Sequence, residues 1–512
     1  MANPSLQIGN SNWAIKEDNL LGYSTAGTRF VPQPITMTRA SAGTRVNSSG
    51  LVETVELLGS ELVTNGSFTT DTDWTKGSNW TISGGSATSD GTDATSNLYQ
   101  TVVDFTNKTF LVEGFASNVT QGFVYVSLGG SDLQIVVNSN GSFKHYVTIS
   151  TANSTLFISA RNNFIGSIDN ISVKEVTKNN LARVDYDGTA SSLLVEPQRT
   201  NLVTYSDPTS NEGAAGNIAY ETFSWGLGTL IENSVYYADN TVTRFRRLGG
   251  SLVASTYYAF SFYCIKDDLS APTFALGIND DFIVKLNGLQ VSQSLDEVEI
   301  KDKGNGVYFI TIASDRGTGS INVIEKTAAN TSIGFRVSGF QIEAGSYATS
   351  YIPTDGSTVT RVQDQYEKTG ISNLINSEEG CVFGEGNFAE SNSGGSYVYF
   401  ASLSDGTVNN RLEIRQTSSN VQFLWRVATY QSQIATSGVD VGSNFKFALN
   451  YSSANIKFYV NGNLIGTINT PNLWSANTLN RLAFDDGAGG NRLSGKVKQL
   501  QVFKTALTDS EL

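Results

Sequence analysis

The sequence predicts an all-β protein in which several antiparallel β-sandwich (jelly-roll) domains follow one another in tandem. Runs rich in Val, Ile, Thr, Tyr and Phe are broken by Gly and Asn, and the 512 residues include 49 glycines, a composition typical of strands and turns. In residues 123–128 (FVYVSL) every second side chain is Val or Leu, which indicates a strand with two different faces. Near the C-terminus, Asn461–Gly462 separates two strand-like runs and predicts a tight hairpin.

Composition and charge limit the kinds of partner. The chain is 39% hydrophobic, carries a net charge of −13 and shows no basic cluster with interleaved aromatics, so nucleic acid is not an expected partner. No apolar run approaches the roughly 20 residues needed to cross a bilayer, and MANPSLQIGN lacks the pattern of a signal peptide. We therefore expect a soluble protein with no secretion signal and no membrane insertion. Cys264 and Cys381 lie far apart, which argues against a disulfide framework and fits assembly in a reducing cytoplasm.

Turn-rich stretches and repeated strand patterns divide the chain into segments. The second jelly roll begins with NLVTYS where the first begins with ELVTNG, which suggests a weak internal repeat. Within the N-terminal module, Asn12–Ser24 fits an amphipathic helix or a loop with one helical turn equally well, and the closing TDSE predicts a short helix. The predicted segments are an N-terminal module (1–58), an inserted jelly roll (59–177), a joint (178–199), a second jelly roll (200–352), a linker (353–369) and a last domain (370–512). We expect the last domain to have a core of its own and to fold separately.

The joint centres on the stretch LLVEPQRTNLVTYS (Leu193–Ser206). Pro197 removes a backbone donor and forces Glu196 into an extended conformation, so a short buried strand ends there. Asn201 then opens the next extended run. Arg199 is expected to be buried and paired with Glu53, Glu196 or Asp185, in which case Arg199→Ala would cost a few kcal/mol.

LLVEPQRTNLVTYS resembles a joint found repeatedly in tailed-phage virion proteins, mainly tail-fibre and related appendage proteins. Three further pieces of the same pattern occur in order: TRASAGTRVNSSGLVE (Thr38–Glu53), ARVDY (Ala182–Tyr186) and GFQIEAGSYATSYIPTDGSTVTR (Gly339–Arg361). The resemblance implies a virion setting, with the N-terminal module attached to the particle, and it implies no particular ligand.

The domains themselves resemble known sandwiches. Residues 59–177 and 200–352 resemble carbohydrate-binding-module-like jelly rolls. The last domain resembles the laminin-G and concanavalin-A-like lectin sandwich, because it runs through a YVNG turn and ends in a similar strand and Ala-Leu-Thr turn.

Residues for catalysis are scarce. The single histidine, His145, lies in a strand-like run and favours a structural or exposed role over a catalytic one, and neither cysteine lies in a zinc-binding spacing. Paired carboxylates leave a glycosidase open: Asp280–Asp281, Glu378–Glu379 and Asp485–Asp486. In Gly/Asn-rich turns such pairs are usually solvated loop charges, so we predict that the protein is not an enzyme.

Binding residues are predicted in the last domain. Exposed aromatics stack on sugar rings while amide and guanidinium groups bind hydroxyls. The candidates for carbohydrate binding are Tyr397, Tyr399, Arg415, Trp425 and Arg426. The loop FDDGAGGN offers Asp485 and Asp486 as Ca²⁺ ligands, so no cofactor is expected unless Ca²⁺ binds there.

Together these features predict a structural virion protein, a tail-fibre or host-facing appendage subunit that binds host-surface glycans. The alternatives are a capsid-attached head fibre or decoration protein and a polysaccharide depolymerase. Expected partners are other virion proteins, host glycans and further copies of the chain, with a homotrimer favoured because linked copies strengthen weak sugar binding. The expected location is the virion, after assembly in the host cytoplasm.

Overall fold

The computed structural model describes residues 3–11, 13–16, 19–26, 29–103, 105–129, 134–150, 154–209, 215–216, 218–238, 244–248, 252–253, 255–276, 280–315, 322–326, 333–389, 397–417, 420–436, 438–440 and 442–512. These residues contain strands and turns and no helix, and every strand pair given below is antiparallel. In this part of the chain, therefore, no helix could span a membrane. The all-β prediction is confirmed. The chain forms two compact units, 56–178 and a larger one made of 1–55 and 179–512.

The N-terminal segment is built of strands. These are β1 (Leu6–Gly9), β2 (Ala14–Lys16), β3 (Asn19–Ala26), β4 (Arg29–Thr38), β5 (Thr44–Val46) and β6 (Val52–Thr54). The helix or helical turn considered for Asn12–Ser24 is wrong in its described part, because β3 pairs with β2 on one side and with β4 along its whole length on the other. Sheet pairing outweighs the local spacing of the apolar residues here.

The smaller unit is a nine-stranded sandwich with a core of its own. Its strands are β7 (Leu57–Glu61), β8 (Thr75–Lys76), β9 (Trp80–Ser83), β10 (Ser86–Asp90), β11 (Thr95–Thr101), β12 (Lys108–Leu128), β13 (Gln134–Val137), β14 (Gly141–Ile149) and β15 (Thr155–Thr177). The two long strands β12 and β15 pair along most of their length and cross from one layer to the other at register shifts near Ser117–Phe123. The first strand β7 pairs with the end of β15, so the unit begins and ends at the same place.

The larger unit contains the joint and the second jelly roll. The joint strands are β16 (Arg183–Asp187), β17 (Ala190–Val195) and β18 (Arg199–Asn201). The jelly-roll strands are β19 (Ala215–Gly216), β20 (Ala219–Thr222), β21 (Asn233–Tyr237), β22 (Arg244–Arg247), β23 (Tyr258–Lys266), β24 (Ile283–Leu286), β25 (Leu289–Gln290), β26 (Glu297–Asp302), β27 (Val307–Ser314), β28 (Val323–Lys326) and β29 (Phe335–Ala344), followed by β30 (Val359–Arg361). Two sheets, β19-β22-β28-β24-β25 and β20-β21-β29-β23-β27-β26, enclose an aromatic-rich core.

The C-terminal sandwich has eleven strands of its own. They are β31 (Gln365–Lys368), β32 (Gly380–Phe388), β33 (Val398–Ser404), β34 (Asn410–Thr417), β35 (Asn420–Val427), β36 (Tyr430–Ala435), β37 (Phe445–Tyr451), β38 (Asn455–Val460), β39 (Asn463–Asn469), β40 (Arg481–Ala483) and β41 (Gly495–Phe503). A front sheet runs β36-β35-β34-β33-β40-β31-β4, and a back sheet runs β39-β38-β37-β32-β41. The predicted hairpin joins β38 to β39, with φ of 50° at Asn461 and 79° at Gly462, as the tight turn requires.

N-terminal and joint strands complete this sandwich. Strand β41 pairs with β1 and with β17 as well as with β32, and β4 pairs with β31. Leu6, Ile8 and Leu193 are buried in the same core as the C-terminal strands. A cut at residue 370 would therefore divide one core, which corrects the expectation that 370–512 folds separately.

The helix predicted from TDSE is a single turn, in which Leu512 N–H donates to the Thr508 carbonyl at 3.3 Å.

A buried ionic network lies at the joint. Arg39 donates to Asp364 at 2.7 Å, and Arg183 donates to the other oxygen of the same carboxylate and to Glu196 at 2.6 Å. Arg361 lies 3.1 Å from Glu196. All five side chains are no more than 6% exposed, so each charge depends on its neighbours for compensation.

The network draws on all four motif pieces of the sequence. Thr38–Glu53 supplies Arg39, Ala182–Tyr186 supplies Arg183, Leu193–Ser206 supplies Glu196, and Gly339–Arg361 supplies Arg361. Ser350, in the last piece, donates its backbone N–H and its hydroxyl to Glu196, both at 2.7 Å. The segment expected to be a linker (353–369) instead carries buried Arg361 and Asp364 and is part of the joint.

Arg199 is placed differently from the expectation. Its guanidinium lies over the Tyr347 ring, 5.3 Å from the ring centre, and its Nε is 4.0 Å from Glu343. The expected partners are engaged elsewhere: Glu53 pairs with Arg45, Asp185 pairs with Lys496, and Glu196 belongs to the network. Glu196 and Asn201 are buried at the joint, and the Asn201 amide donates to the Phe340 and Ile352 carbonyls.

Removing the Glu196 charge should be costly. Burial opposes ionisation, but the guanidiniums of Arg361 and Arg183 outweigh it and lower the pKa of Glu196 from 4.5 to about 2. Glu196→Gln would leave two buried guanidiniums undercompensated, and we expect a loss of about 3–5 kcal/mol in the free energy of unfolding at pH 7, measured by urea denaturation. Glu53→Gln, at a part-exposed ion pair, is the matched control and should cost less than about 1 kcal/mol.

The same substitution has a defined pH dependence. A carboxyl whose pKa is lowered on folding contributes stability above its unfolded pKa, and the contribution disappears as pH falls through the folded pKa. The difference between wild type and Glu196→Gln should therefore be full above pH 4.5 and shrink towards pH 2. A difference that is small at pH 7, or that grows on acidification, would contradict the ionised network.

Candidate functional site

The outer face of the front sheet of the C-terminal sandwich is polar. Along β34, Leu412 and Ile414 enter the core, so Arg411, Glu413 and Arg415 point outward. The strand register places mostly polar or small side chains beside them, together with the buried Leu424. One row across the sheet is Gln433, Leu424, Glu413, Ser402 and Ala483, and the row on one side of it is Gln431, Arg426, Arg411, Ser404 and Arg481.

Glu413 is the centre of this face. Its carboxylate lies 2.8 Å from Arg411 on one side and accepts from Arg415 at 2.8 Å on the other, and its side chain is 0% exposed. The guanidiniums of Arg411 and Arg415 lower the pKa of Glu413, but burial is the larger effect and raises this pKa to about 7. The carboxylate therefore holds the two arginines in place and is not itself open to a ligand.

Three of the five predicted carbohydrate-binding residues form one cluster. The guanidinium of Arg415 lies over the Tyr397 ring, 3.7 Å from its centre, and the Tyr397 and Tyr399 rings meet edge to face at 6.2 Å. Tyr397 is 41% exposed, whereas Tyr399 and Arg415 are buried beneath it. Arg426 lies on the same face in the row of Arg411 and is half-buried. Tyr397 and Arg426 are thus the members that a ligand could reach.

Trp425, the remaining candidate, belongs to the core. It is 0% exposed and packs against Trp474, with ring centres 3.7 Å apart, and against Tyr451 at 5.7 Å. Its ring N–H donates to the Asn472 carbonyl at 2.9 Å. The prediction that Trp425 stacks on sugars is wrong, because the alternation of side chains along β35 points Trp425 into the core.

The carboxylates of the loop after β40 are bound by the protein itself. Asp485 accepts from both terminal nitrogens of Arg481, at 2.9 and 2.5 Å, and from the Gly487 N–H. Asp486 accepts from the N–H groups of Ala488 and Gly490, at 3.0 Å each. In the described part of the chain, no group of three or more His, Cys, Asp or Glu side chains could hold a metal ion.

The other reactive groups are placed as follows. His145 is exposed on β14. Cys264 and Cys381 are free and buried in different cores, and burial raises the pKa of both thiols. Asp281 is 2% exposed and pairs with Lys266 at 3.0 Å. The burial of Asp281 and Asp485 corrects the expectation that the paired carboxylates are solvated loop charges. Glu378, in contrast, is exposed as expected.

A cleft of about 760 Å³ opens beside the joint. The second jelly roll contributes Glu297 and Phe309, and the loop after β29 contributes Tyr347. The ion pair of Asp185 and Lys496, at 2.7 Å, also lines the cleft. These segments are far apart in the chain, so no local sequence pattern could have indicated the cleft.

The burial of Trp425 gives a direct test. Trp425→Ala should destabilise the larger unit by about 3–5 kcal/mol, because it opens a cavity in the core. Tyr397→Ala, at an exposed ring, should change the free energy of unfolding by less than about 1 kcal/mol. Thermal and urea unfolding of the two variants would measure this, and equal stabilities would contradict the placement of Trp425.

Comparisons with known proteins agree with this architecture. Residues 388–512 match the family model described as the concanavalin A-like lectin/glucanases superfamily. Comparison with curated proteins gives no match.

Solved structures that resemble parts of the chain include the following three. They are the IT-sialidase CBM40 of Ruminococcus gnavus (17% identity, covering 27% of this chain and 81% of that one, TM-score 0.24), domain 4 of an extracellular arabinanase from Geobacillus stearothermophilus in complex with arabinotriose (11%, 30% and 74%, 0.25) and a SAP-like pentraxin from Limulus polyphemus (17%, 27% and 69%, 0.23). From the family match and its strand order, the C-terminal part of the chain is a concanavalin-A-like β-sandwich.

Proposed function

We propose that the protein is a non-catalytic structural subunit of a tailed-phage virion, a tail fibre or other host-facing appendage, which binds host-surface glycans through its C-terminal sandwich. The observation that carries the binding role is the outer face of the front sheet. There an exposed tyrosine, Tyr397, and the half-buried Arg426 lie beside a rigid layer of paired charges, on a domain that matches the concanavalin A-like lectin/glucanases superfamily.

The rigidity of that layer supports recognition of sugars. Arg415 donates its Nε to Gln422 at 2.7 Å as well as its Nη1 to Glu413, and Arg411 donates to the Asp486 carbonyl at 2.7 Å. The side chains beneath Tyr397 are therefore fixed before a ligand arrives. A preorganised surface loses less conformational entropy on binding, which matters for the shallow sites that glycans usually occupy.

The same geometry favours binding over hydrolysis. Glycosidases use two carboxyl groups that both reach the scissile bond. On this face Glu413 is fully buried between two arginines, and Asp485 is held by Arg481. A polysaccharide depolymerase therefore remains the weaker alternative.

The virion setting is supported by the convergence of the four motif pieces on one buried network. Each contributes a residue that the others need, which supports treating the four pieces as one pattern in this chain. A capsid-attached head fibre or decoration protein would use the same joint. In either setting we propose a homotrimer, with other virion proteins and host glycans as partners, no required cofactor, and assembly in the host cytoplasm.

The binding role can be tested on an array of bacterial surface polysaccharides with the full chain. We expect binding to at least one glycan that weakens tenfold or more in the double variant Tyr397→Ala/Arg426→Ala, because both accessible contacts are lost. Leu464→Ala is the control, since Leu464 is 50% exposed on β39 of the back sheet and should leave binding unchanged.

Three results would contradict parts of the proposal. Unchanged binding in the double variant would remove the front sheet as the site. Release of reducing sugars from a bound polysaccharide would replace the binding role with a depolymerase. Labelled antibody that decorates capsids and not tails in electron micrographs would favour the head fibre.

A further inference from the structure

Strand β26 (Glu297–Asp302) lies at an open edge of the second jelly roll. It is the last strand of the sheet β20-β21-β29-β23-β27-β26, and in the described part of the chain it pairs with β27 alone. One of its faces lines the cleft beside the joint. An edge strand presents a row of backbone N–H and C=O groups with which a further strand can pair.

The register of β26 with β27 shows which backbone groups are free. Just beyond β26, Lys303 N–H donates to the Val307 carbonyl at 2.8 Å. Hydrogen-bonded and non-hydrogen-bonded positions alternate along an antiparallel pair, so the backbone groups of the other odd-numbered residues of β26 also point to β27. The N–H and C=O groups of Val298, Ile300 and Asp302 therefore point to the open edge.

The side chains of the strand divide into two faces. Val298 and Ile300 pack against the core of the jelly roll, so the odd-numbered side chains point the other way. Those side chains are all exposed and are, in chain order, Glu297, Glu299, Lys301 and Lys303. None of these four forms an ion pair with another residue that the structure describes.

This order of charges is complementary to itself. When two copies of the strand run antiparallel about a two-fold axis at Ile300, positions equally distant from Ile300 face each other. Glu299 of one copy then faces Lys301 of the other, Glu297 faces Lys303, and the symmetry repeats each pair. An axis at Glu299 or at Lys301 would instead place like charges opposite each other.

The backbone groups fit the same register. Ile300 would pair with its counterpart, and Val298 with Asp302, and these are the residues whose backbone groups point to the open edge. The charged side chains then occupy the non-hydrogen-bonded positions, where side chains across an antiparallel pair lie closest. A slip by one residue would place these free groups opposite groups that are already bonded to β27. Charge and backbone therefore agree on one register.

Exposed leucines lie at both ends of the strand. Leu295, just before β26, is 67% exposed, and Leu269, which is 55% exposed, lies against Gly306 in the turn after β26. Antiparallel pairing brings the start of one strand to the end of the other. Leu295 of each copy would thus approach the turn beside Leu269 of the other, which adds apolar contact to the pairing.

Charges on an edge strand often serve to keep other strands away. An edge with one sign of charge repels a second copy of itself. In β26 the two signs are separated along the strand, acidic in the first half and basic after it, so an antiparallel copy is attracted. The pattern therefore favours a second copy of this chain as the strand that pairs here.

We propose that two copies of the chain associate through β26, which continues the sheet of the second jelly roll across a two-fold axis. The contact goes beyond the proposed function, because a two-fold contact is separate from the three-fold contact of a homotrimer. It joins two trimers where trimers form and two single chains where they do not. The assembly therefore contains an even number of chains.

The test exchanges the charges in two full-length variants, Glu297→Lys/Glu299→Lys and Lys301→Glu/Lys303→Glu. In each variant alone, like charges face each other at all of these positions, and we expect self-association to weaken tenfold or more. An equimolar mixture should associate as strongly as the wild type, because the substituted side chains of the two variants are opposite in sign. Sedimentation equilibrium at up to about 100 μM suits a contact of this modest size.

The control is Glu232→Lys/Glu378→Lys, which makes the same change in net charge as the first variant at two exposed glutamates outside β26 and should associate as the wild type does. A wild-type chain that sediments only as a monomer or a trimer would overturn the proposal. So would a mixture that associates no better than its components, or separate variants that associate like the wild type. Thermal unfolding of each variant checks that the fold is intact.

Discussion

Charge compensation at the joint is the constraint on which the larger unit depends. Three buried guanidiniums, those of Arg39, Arg183 and Arg361, lie with the carboxylates of Glu196 and Asp364. Glu343, also buried, adds a third carboxylate near Arg361 and is bound by Thr349. Burying an unpaired charge is far more costly than burying a paired one. The network therefore forms only when all of its segments are in place, and it couples sequence pieces that lie more than 300 residues apart.

This constraint explains how the chain tolerates a large insertion. The smaller unit enters after Val55 and leaves before Asn179, between two segments that both belong to the joint. Its ends are held close together, because β7 pairs with the end of β15 and Lys178 lies 3.9 Å from Glu56. A domain whose ends meet can be inserted without separating the segments on either side. Arg39 and Arg183 thus both reach the carboxylate of Asp364 despite the 143 residues between them.

Local patterns predicted the parts of the structure that local forces decide. The alternation in residues 123–128 and the turn at Asn461–Gly462 gave the strands and the hairpin, because side-chain period and backbone φ are set within a few residues. The helix considered for Asn12–Ser24 is wrong because the spacing of apolar residues within that segment carries no information about β4, the strand with which β3 pairs. Trp425 was misplaced for a related reason: alternation separates two faces of a strand but does not say which face is covered.

The ionic contacts were the least predictable feature. The alternating stretch Arg411–Arg415 has the pattern of a strand with a solvated outer face, yet its outward side chains are buried against one another and beside the loop that carries Asp485 and Asp486, which leaves Tyr397 and Arg426 as the accessible candidates on that face. Arg199 was assigned partners by sequence proximity to the motifs, whereas pairing depends on how distant segments meet. The four motif pieces did indicate that these segments meet, although not which side chains would touch.

Native-state hydrogen exchange in increasing denaturant tests the central claim most directly, because it gives the opening free energy of each segment separately. If the network makes the joint one cooperative element, amides around Arg39, Arg183, Glu196 and Arg361 should lose protection at the same denaturant concentration, together with those of β41. Opening of one of these segments while the other three remain protected would contradict the account, because the remaining charges would then be buried without their partners.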